Sequence, residues 1–134
     1  MRKIKIKTSQ RCEAIEISTH LRNYIREISA DSGMLTVHCP HTTAGITVNE
    51  NADPDVRKDM LNFLGQHIPQ DRSFTHAEGN SDAHIKSTFV NCSQALIIED
   101  GKIQLGQWQG IFFMEFDGPR EREVWLKFMP NRKG

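Results

Sequence analysis

The chain has 134 residues, 37% of them hydrophobic, which is enough for one core and too few for a second domain of ordinary size. Its 17 lysines and arginines balance its 17 aspartates and glutamates, so no overall field favours nucleic acid or an anionic membrane. The sequence has neither the roughly 20 successive apolar residues of a membrane span nor the apolar core of a signal peptide. We therefore expect a single cytoplasmic domain over residues 1–134, with a polar tail at 130–134 and a local functional site.

The hydrophobic pattern of the N-terminal half predicts four strands and one helix. In chain order these are strands at 4–6 and 14–17, a helix capped by Ser18 or Thr19 and ended before Gly33, and strands at 34–37 and 45–48. The first two strands are close together along the chain. We therefore predict that they pair with each other through a turn near Gln10.

A second helix is predicted to begin at Asp53, which is followed by Pro54. The aspartate can accept hydrogen bonds from free amides of the first turn, and the fixed φ of proline suits the first helical position. The predicted buried face of this helix comprises Val56, Met60, Phe63 and Leu64.

Four strands are predicted after an irregular polar stretch at 67–81. They span 84–91, 93–99, 108–117 and 123–128, with a turn at Asp100-Gly101. Because the connections are too short for crossover helices, neighbouring strands must pair mainly antiparallel. The sequence therefore predicts an α+β fold, in which a mainly antiparallel sheet or sandwich is combined with two helices.

The segment from Thr75 to Lys86 is the richest in chemically active side chains, with two histidines, two acids and a lysine around Gly79. If a strand begins by Asp82, alternation places Asp82, His84 and Lys86 on one face. Imidazole and carboxylate groups suit Zn²⁺, and the ammonium group suits an anion. The alternative is a solvated strand face whose histidines are satisfied by hydrogen bonds.

A second polar cluster surrounds the strand predicted at 45–48. His41 can bind a metal or act as a general acid or base, because its ordinary pKa lies near physiological pH. Thr42 and Thr43 carry small hydroxyl side chains that allow a ligand to approach closely. Asn49 and Glu50 either line a pocket or organise the turn before the second helix.

The third segment of interest contains Trp108, which lies between two glutamines and two glycines. Trp108 can form a stacking wall for a ligand, with Gln109 beside it, or it can anchor the core. Arg120 follows a Gly-Pro turn. It can bind a phosphate, or it can pair with Glu115 or Asp117.

Several common catalytic motifs are absent from the sequence. It contains no GxxxxGK[ST] phosphate loop, GxGxxG turn, HExxH helix or GxSxG nucleophile elbow. A serine or cysteine hydrolase is therefore unsupported. Basic residues do not interleave with aromatic residues, so we expect no binding of single-stranded nucleic acid.

Taken together, these segments resemble the YjbQ-like family, also described as secondary thiamine-phosphate synthase enzymes. The resemblance rests on His41-Thr42-Thr43-Ala44, Asn49-Glu50-Asn51, Asp53-Pro54, His76, Glu78-Gly79, Asp82, His84-Ile85-Lys86-Ser87, Gly106 and Trp108-Gln109. Members commonly have Gly-Thr-Trp-Gln where this chain has Gly106-Gln107-Trp108-Gln109. Any role of a threonine hydroxyl at position 107 is therefore not transferred.

The resemblance implies a homotrimer with an α+β fold and polar clusters near the subunit boundaries. It also implies a divalent metal ion, zinc by preference and magnesium with a diphosphate substrate, held by His41, His76 and His84. Three histidine ligands leave one coordination position open, which is typical of a catalytic metal site and not of a closed structural one.

The implied reaction joins a pyrimidine diphosphate to a thiazole phosphate with loss of diphosphate. In that reaction Lys86 and Arg120 would neutralise the leaving group, Trp108 would stack on the pyrimidine and Gln109 would bind its edge. Substrate contacts are also expected from Thr42, Thr43, Asn49 and Glu50. The word "secondary" indicates that this activity is incidental to another one.

Two alternatives use the same residues. The first is a metal-dependent hydrolase or phosphatase of a small phosphorylated metabolite, with Glu78 or Asp82 as the base. The second is a trimer that binds a metal or ligand without catalysing a reaction, its histidines closing a structural site.

Overall fold

Within residues 1–132, which the computed structural model describes, the chain forms eight strands and three helices. In chain order these are β1 (Arg2–Lys7), β2 (Glu13–Glu16), α1 (Ser18–Glu27), β3 (Gly33–His38), β4 (Ala44–Glu50), α2 (Pro54–His67), α3 (Ser81–Val90), β5 (Ser93–Glu99), β6 (Lys102–Ile103), β7 (Gln109–Glu115) and β8 (Glu121–Pro130). One sheet has the strand order β1-β8-β3-β5-β6 and the other β2-β7-β4. All these pairs are antiparallel, so the predicted fold class is confirmed.

The main hydrophobic core lies between the two sheets and α1. Its fully buried side chains include Leu35, Val37, Ile46, Ile111 and Phe113. Because neighbouring residues of β7 point to opposite faces, Phe112 and Met114 form a second cluster on the other side of the three-stranded sheet. Side chains of α2 and α3 pack against this second cluster. The three-stranded sheet is thus covered on both faces.

The prediction that the first two strands pair with each other is wrong, because they join different sheets. β1 pairs with β8, where Ile4 lies opposite Val124, and β2 pairs with β7, where Ala14 lies opposite Met114. The segment near Gln10 therefore carries the chain from one sheet to the other. Alternation of apolar residues identified the strands, but it holds no information about which distant strand completes each ladder.

The first helix begins where it was predicted, but neither predicted cap acts as one. Ile17 is the residue at the N-cap position, and no side chain caps the helix there. The hydroxyl of Ser18 instead accepts a hydrogen bond from the backbone N of Ile111 at 3.0 Å. Ser18 is therefore buried and joins α1 to β7.

The second helix confirms the predicted start and corrects the predicted buried face. Asp53 Oδ1 accepts a hydrogen bond from the backbone N of Asp55 at 2.9 Å, and Pro54 is the first helical residue. Phe63, however, is 60% exposed, and no residue of α2 is fully buried. The helix lies on the outside of the three-stranded sheet, where it contacts the second cluster through Met60 and Leu64.

The third helix, α3, forms where the sequence predicts a strand at 84–91, so that prediction is wrong. The segment was short and apolar at several positions, a pattern that fits a strand and a helix equally well. Asp82 and Lys86 lie one helical turn apart and form an ion pair of 3.0 Å. Since successive helical residues are about 100° apart, His84 points away from the face that Asp82 and Lys86 share.

The β5–β6 hairpin and the C-terminal segment complete the sheet. The predicted turn at Asp100-Gly101 is present, with φ angles of 51° and 70° that suit a tight hairpin. The predicted polar tail starts later than expected, because Pro130 ends β8 and the N–H of Asn131 donates to Ser32 O at 2.8 Å. Residues 133 and 134 lie outside the described residues. No helix within 1–132 has both the length and the apolar character needed to cross a membrane.

Candidate functional site

A polar cavity of about 650 Å³ lies where the loop after β3, the segment before α3 and the turn between β7 and β8 meet. Its lining residues are Pro40, His41, Thr42, Thr43, His76, Glu78, Asn80, His84, Asp117, Arg120 and Arg122. We call this cavity the main pocket. Its volume is within the range of roughly 300–1,000 Å³ that is usual for small-molecule sites. It brings together all three predicted histidines and four more of the predicted residues.

The loop that follows β3 fixes His41 by a hydrogen bond to a neighbouring strand. His41 Nε2 accepts from the backbone N of Glu123 at 2.9 Å. A neutral ring that accepts at Nε2 carries its hydrogen on Nδ1, which makes Nδ1 a donor. Burial and the nearby Arg122 guanidinium lower the pKa of His41, which favours this neutral form. His41 is therefore set up to donate to an acceptor such as a phosphate oxygen.

A buried ion pair supports the wall of the main pocket beside His41. Arg122 Nε donates to Glu115 Oε1 at 2.9 Å, and Thr8 Oγ1 donates to the same atom at 2.8 Å. Burial alone would raise the pKa of Glu115, but the hydrogen bonds from Arg122 and Thr8 outweigh it and lower that pKa. Arg122 Nη2 also donates to Thr43 Oγ1 at 2.8 Å. The hydroxyl of Thr43 thus holds Arg122 in place, whereas Thr42 is exposed at the pocket.

A second ion-pair group lies on α3, away from the lining of the main pocket. Asp82 receives a hydrogen bond of 3.0 Å from Lys86 Nζ and two hydrogen bonds, of 2.9 and 3.0 Å, from the Arg11 guanidinium. Burial would raise the pKa of Asp82, but these hydrogen bonds lower it. A carboxylate held by two cations is a poor general base. Asp82 and Lys86, both predicted to be catalytic, therefore hold α3 in place in this structure.

His76 and His84 stand side by side in the wall of the main pocket. Their ring centroids are 5.4 Å apart in an edge-to-face arrangement. Glu78 Oε2 is 3.8 Å from His76 Nε2, and the Glu78 side chain is 75% exposed. This carboxylate is therefore free to act on a bound molecule. A smaller cavity of about 380 Å³ borders the two rings and is also lined by Phe74, Thr75, Ser81 and Ile85.

Arg120 is held at the pocket by Asp117, one of the two carboxylates with which the sequence predicted that it could pair. Arg120 Nε donates to Asp117 O, and Nη2 donates to Asp117 Oδ2, both at 2.9 Å. Asn80 Nδ2 donates to the same carboxylate oxygen at 2.8 Å. Among the described residues nothing donates to the buried Asn80 Oδ1. A buried acceptor of this kind normally has a partner, so its lack of one is a cost in stability at the start of α3.

Arg122 and Asn80 are pocket residues that sequence reasoning missed. Arg122 is one of many charged residues that alternate along β8, and only its burial distinguishes it. Asn80 directly precedes α3. The sequence predicts an irregular approach to a strand here, and a strand pattern does not single out the residue that precedes a helix.

The three histidines do not form a metal site within one chain. Among residues 1–132, no group of three or more histidine, cysteine, aspartate or glutamate side chains is placed to hold a metal ion. His41 gives the physical reason, because its Nε2 lone pair already accepts from Glu123 and its Nδ1 carries the hydrogen. The predicted three-histidine ligand set therefore does not fit in this conformation.

The remaining predicted residues form a second group, which we call the tryptophan cluster: Asn49, Glu50, Trp108 and Gln109. Glu50 lies opposite Gln109 at one end of the β4–β7 ladder, and Ala44 lies opposite Glu115 at the other. Six residue steps at about 3.4 Å separate these ends by roughly 20 Å. The main pocket lies at the Ala44 end. One chain therefore does not bring the tryptophan cluster to the main pocket.

Trp108 is 55% exposed, so the alternative that it anchors the core is wrong. Its backbone O accepts from Asn51 N at 2.8 Å, which joins the loop after β4 to the start of β7. Gln109 Oε1 accepts from the backbone N of Gly106 at 2.8 Å. The indole ring is thus presented to solvent on a well-bonded loop, as a stacking surface requires.

The chain is similar over nearly its whole length to a family and to several of its members. The family model described as UPF0047 protein YjbQ-like matches residues 2–131. The UPF0047 protein MJ1081 of Methanocaldococcus jannaschii is 54% identical over 97% of this chain and 94% of its own length. The UPF0047 protein YugU of Bacillus subtilis is 48% identical over 96% of this chain and 98% of its own.

Solved structures show the same fold. A crystal structure from Clostridium acetobutylicum, described as an uncharacterized conserved protein of the YjbQ/UPF0047 family, superposes with a TM-score of 0.93 and 48% identity, covering 96% of this chain and 100% of that one. A hypothetical protein from Aeropyrum pernix K1 superposes with a TM-score of 0.92 and 30% identity, covering 97% and 98%.

Proposed function

The chain belongs to the YjbQ-like UPF0047 family, and on that premise we propose that it is a cytoplasmic enzyme of small phosphorylated metabolites with thiamine-phosphate synthase activity. In this activity a pyrimidine diphosphate is joined to a thiazole phosphate, in addition to a main reaction at the same site. The main pocket is the observation that supports the proposal. There Arg120, His41 and the exposed Thr42 line one cavity of about 650 Å³, and the neutral His41 ring carries its hydrogen on Nδ1.

The pocket residues suit the charge changes of the synthase reaction. The thiazole nitrogen attacks the exocyclic carbon of the pyrimidine with its lone pair, and the bond from that carbon to the diphosphate oxygen breaks. The departing diphosphate takes the bonding electrons, so negative charge develops on its oxygens. Arg120, His41 and Thr42 can donate hydrogen bonds to it, each worth about 1.5–3 kcal/mol where one partner is charged.

We also propose that the enzyme is a homotrimer whose site is shared between subunits. Within one chain the tryptophan cluster is roughly 20 Å from the main pocket along the β4–β7 ladder, too far for both to contact one small substrate. At a subunit boundary the tryptophan cluster of one copy can face the main pocket of the next. Trp108 would then stack on the pyrimidine and Gln109 would bind its edge, as the sequence predicted.

Mixing of variants tests the shared site. A His84→Ala variant and a Trp108→Ala variant are each expected to be inactive as homotrimers, and mixed trimers of both are expected to recover part of the wild-type activity. Recovery requires that an intact pocket on one subunit meets an intact tryptophan cluster on another. If native mass spectrometry shows mixed trimers and no activity returns, each site lies within one subunit.

A divalent metal, zinc or magnesium, is a separate part of the proposal, and no step above depends on it. His76 and His84 are the two predicted ligands that stand together, and His41 does not join them in this conformation. Elemental mass spectrometry on wild type and on His84→Ala, with oligomeric mass measured on the same samples, tests the metal. About one metal per subunit, lost in the variant, supports it. No metal in either after reconstitution contradicts it.

Direct assay of the synthase reaction tests the activity. Purified protein is incubated with the pyrimidine diphosphate and the thiazole phosphate, with and without Mg²⁺ or Zn²⁺, and thiamine phosphate is measured by mass spectrometry. Arg120→Gln is expected to lower the rate at least about tenfold, the effect of losing about 1.4 kcal/mol of transition-state stabilisation. Arg72→Gln, which removes an exposed arginine that does not line the pocket, is the matched control. Absence of product under every condition contradicts the synthase proposal.

The exposed Glu78 carboxylate favours one alternative, hydrolysis of a small phosphorylated metabolite. It lies 3.8 Å from His76 at the pocket and is free to accept a proton from an attacking water. Release of inorganic phosphate from simple phosphate esters, lost in Glu78→Gln, distinguishes hydrolysis from synthesis. Binding of phosphate esters without turnover would instead favour the non-catalytic trimer.

A further inference from the structure

A second large cavity, of about 670 Å³, lies at the carboxyl end of α1, where the loop at 28–32 meets the β5–β6 hairpin. We propose that this cavity, the α1 cavity, binds an organic phosphate monoester that carries an apolar group. The α1 cavity shares no lining residue with the main pocket, and its ligand is independent of the function proposed above. The six residues of β3 separate the two sites by roughly 20 Å.

The walls of the α1 cavity carry an excess of positive charge. Arg22, Arg26 and Lys102 line it, and Asp31 is the one acidic residue that does. None of the three cations makes a salt bridge with another of residues 1–132. The nearby Glu27 does not supply the missing partner, because it pairs with Arg2 at 2.8 Å. The lining therefore has a formal net charge of two positive in a chain that is neutral overall.

The arrangement of these cations suits a phosphate group. Arg22 and Arg26 are four residues apart on α1, so their guanidinium groups extend from the same face of the helix. Two guanidinium groups can bind phosphate oxygens in pairs, and an ammonium group adds charge. The carboxyl end of α1 contributes only about half a negative charge, which the cations exceed. A phosphate monoester dianion matches the net charge of the lining.

Part of the lining of the α1 cavity is apolar, which favours a phosphate ester with an apolar group over inorganic phosphate. Ile25 and Ala30 are almost completely buried where they line the cavity, and the half-buried Ile103 presents apolar surface to it. A ligand that covers this part of the lining removes apolar surface from water, at about 25 cal/mol for each Å². An aromatic or aliphatic group attached to the phosphate would make this contact.

Titration with phenyl phosphate, followed by ¹H–¹⁵N correlation spectra of the whole chain, tests the proposal. We expect saturable shifts of the Ser29, Ala30 and Gly101 amides, and at least about tenfold weaker binding in the double variant R22Q/R26Q. Arg72→Gln removes one exposed arginine elsewhere and should leave binding unchanged. Lys102→Gln provides a second variant that should also weaken binding. Because these side chains are exposed and unpaired within 1–132, the spectra of all variants should keep the dispersion of the folded chain.

Three results would overturn the proposal. The first is the absence of saturable shifts around the α1 cavity. The second is equal affinity in wild type and R22Q/R26Q. The third is a set of shifts confined to Thr42 and Thr43 that disappears in Arg120→Gln, which assigns the ester to the main pocket. Inorganic phosphate should bind at least about tenfold more weakly than phenyl phosphate, and equal binding would contradict the apolar contact.

Discussion

Glu115 and Arg122 form an ion pair across the turn between β7 and β8, and both side chains are almost completely buried. The Glu115 carboxylate accepts from Arg122, from Thr8 and from two backbone amides, and Arg122 also donates to Thr43. Arg122 also lines the main pocket. The buried pair thus fixes the position of Arg122 in the wall of the candidate site.

Removal of one partner of this ion pair should lower the free energy of unfolding. Arg122→Met leaves the Glu115 carboxylate buried without its guanidinium, and the free energy of unfolding should fall by about 3–5 kcal/mol. Arg120→Met breaks the ion pair with Asp117, but the Arg120 side chain is 48% exposed and Asp117 keeps its hydrogen bond from Asn80, so the loss should be less than about 1 kcal/mol. Urea denaturation of both variants beside wild type measures the difference. Equal losses in the two variants would contradict the importance of burial.

The same pair should make stability depend on acid pH. The pKa of Glu115 is lowered from its ordinary value of 4.5 in the folded chain, so the unfolded chain binds the proton more readily. The stability that the pair contributes is therefore complete above pH 4.5 and is lost as the pH falls below it. Urea denaturation from pH 7 to pH 3 should show a steeper loss for wild type than for Glu115→Gln. Parallel curves would show that Glu115 does not titrate differently on folding.

Gly45 should resist substitution because α3 approaches β4 closely at this position. A Cβ atom there would meet Asn91 O at 2.6 Å and Val90 Cγ1 at 3.1 Å. Gly45→Ala should therefore cost about 1–3 kcal/mol, the usual effect of overpacking, and displace the end of α3. Gly65→Ala on α2, where nothing lies within 4 Å, should stabilise the chain by up to about 1 kcal/mol. Thermal unfolding of both variants gives the comparison.

A substitution of Lys86 can show whether this residue stabilises the fold or contacts the substrate. The resemblance implies that Lys86 neutralises the leaving group, but Lys86 is buried against Asp82 and does not line the main pocket. Lys86→Met should lower the free energy of unfolding by about 1–3 kcal/mol, because Asp82 keeps its two hydrogen bonds from Arg11. At temperatures where the variant remains folded, its KM for a phosphorylated substrate should be unchanged. A raised KM in a stable variant would indicate direct contact with substrate.

The sequence predicted the parts of the fold that depend on local chemistry. Asp53 and Pro54 start α2 because a side-chain acceptor and a fixed φ act on adjacent backbone groups. The Asp100-Gly101 turn forms because these residues tolerate positive φ. Strand partners could not be predicted in this way, because the ladder of β1 with β8 joins residues more than a hundred positions apart.

The candidate site was predicted in composition but not in arrangement. His41 and His84 line one pocket, although 42 residues lie between them in the sequence. The helical geometry of α3 directs Asp82 and Lys86 away from His84. The length of the β4–β7 ladder separates Trp108 from the main pocket. The spacing of residues along the chain does not show whether a short apolar segment is a helix or a strand. It also does not show how far apart two residues lie along a pair of strands.

The Asn80 amide helps to fix one wall of the main pocket. Its nitrogen donates to Asp117 Oδ2 at 2.8 Å, and Arg120 Nη2 donates to the same oxygen at 2.9 Å. A flip of the amide would bring two oxygens together, so Oδ1 must remain an acceptor, although it is buried and receives no hydrogen bond from residues 1–132. An unmet buried acceptor costs about 1–3 kcal/mol. The start of α3 therefore carries a cost in stability, because the same side chain holds Asp117 and, through it, the Arg120 guanidinium at the pocket.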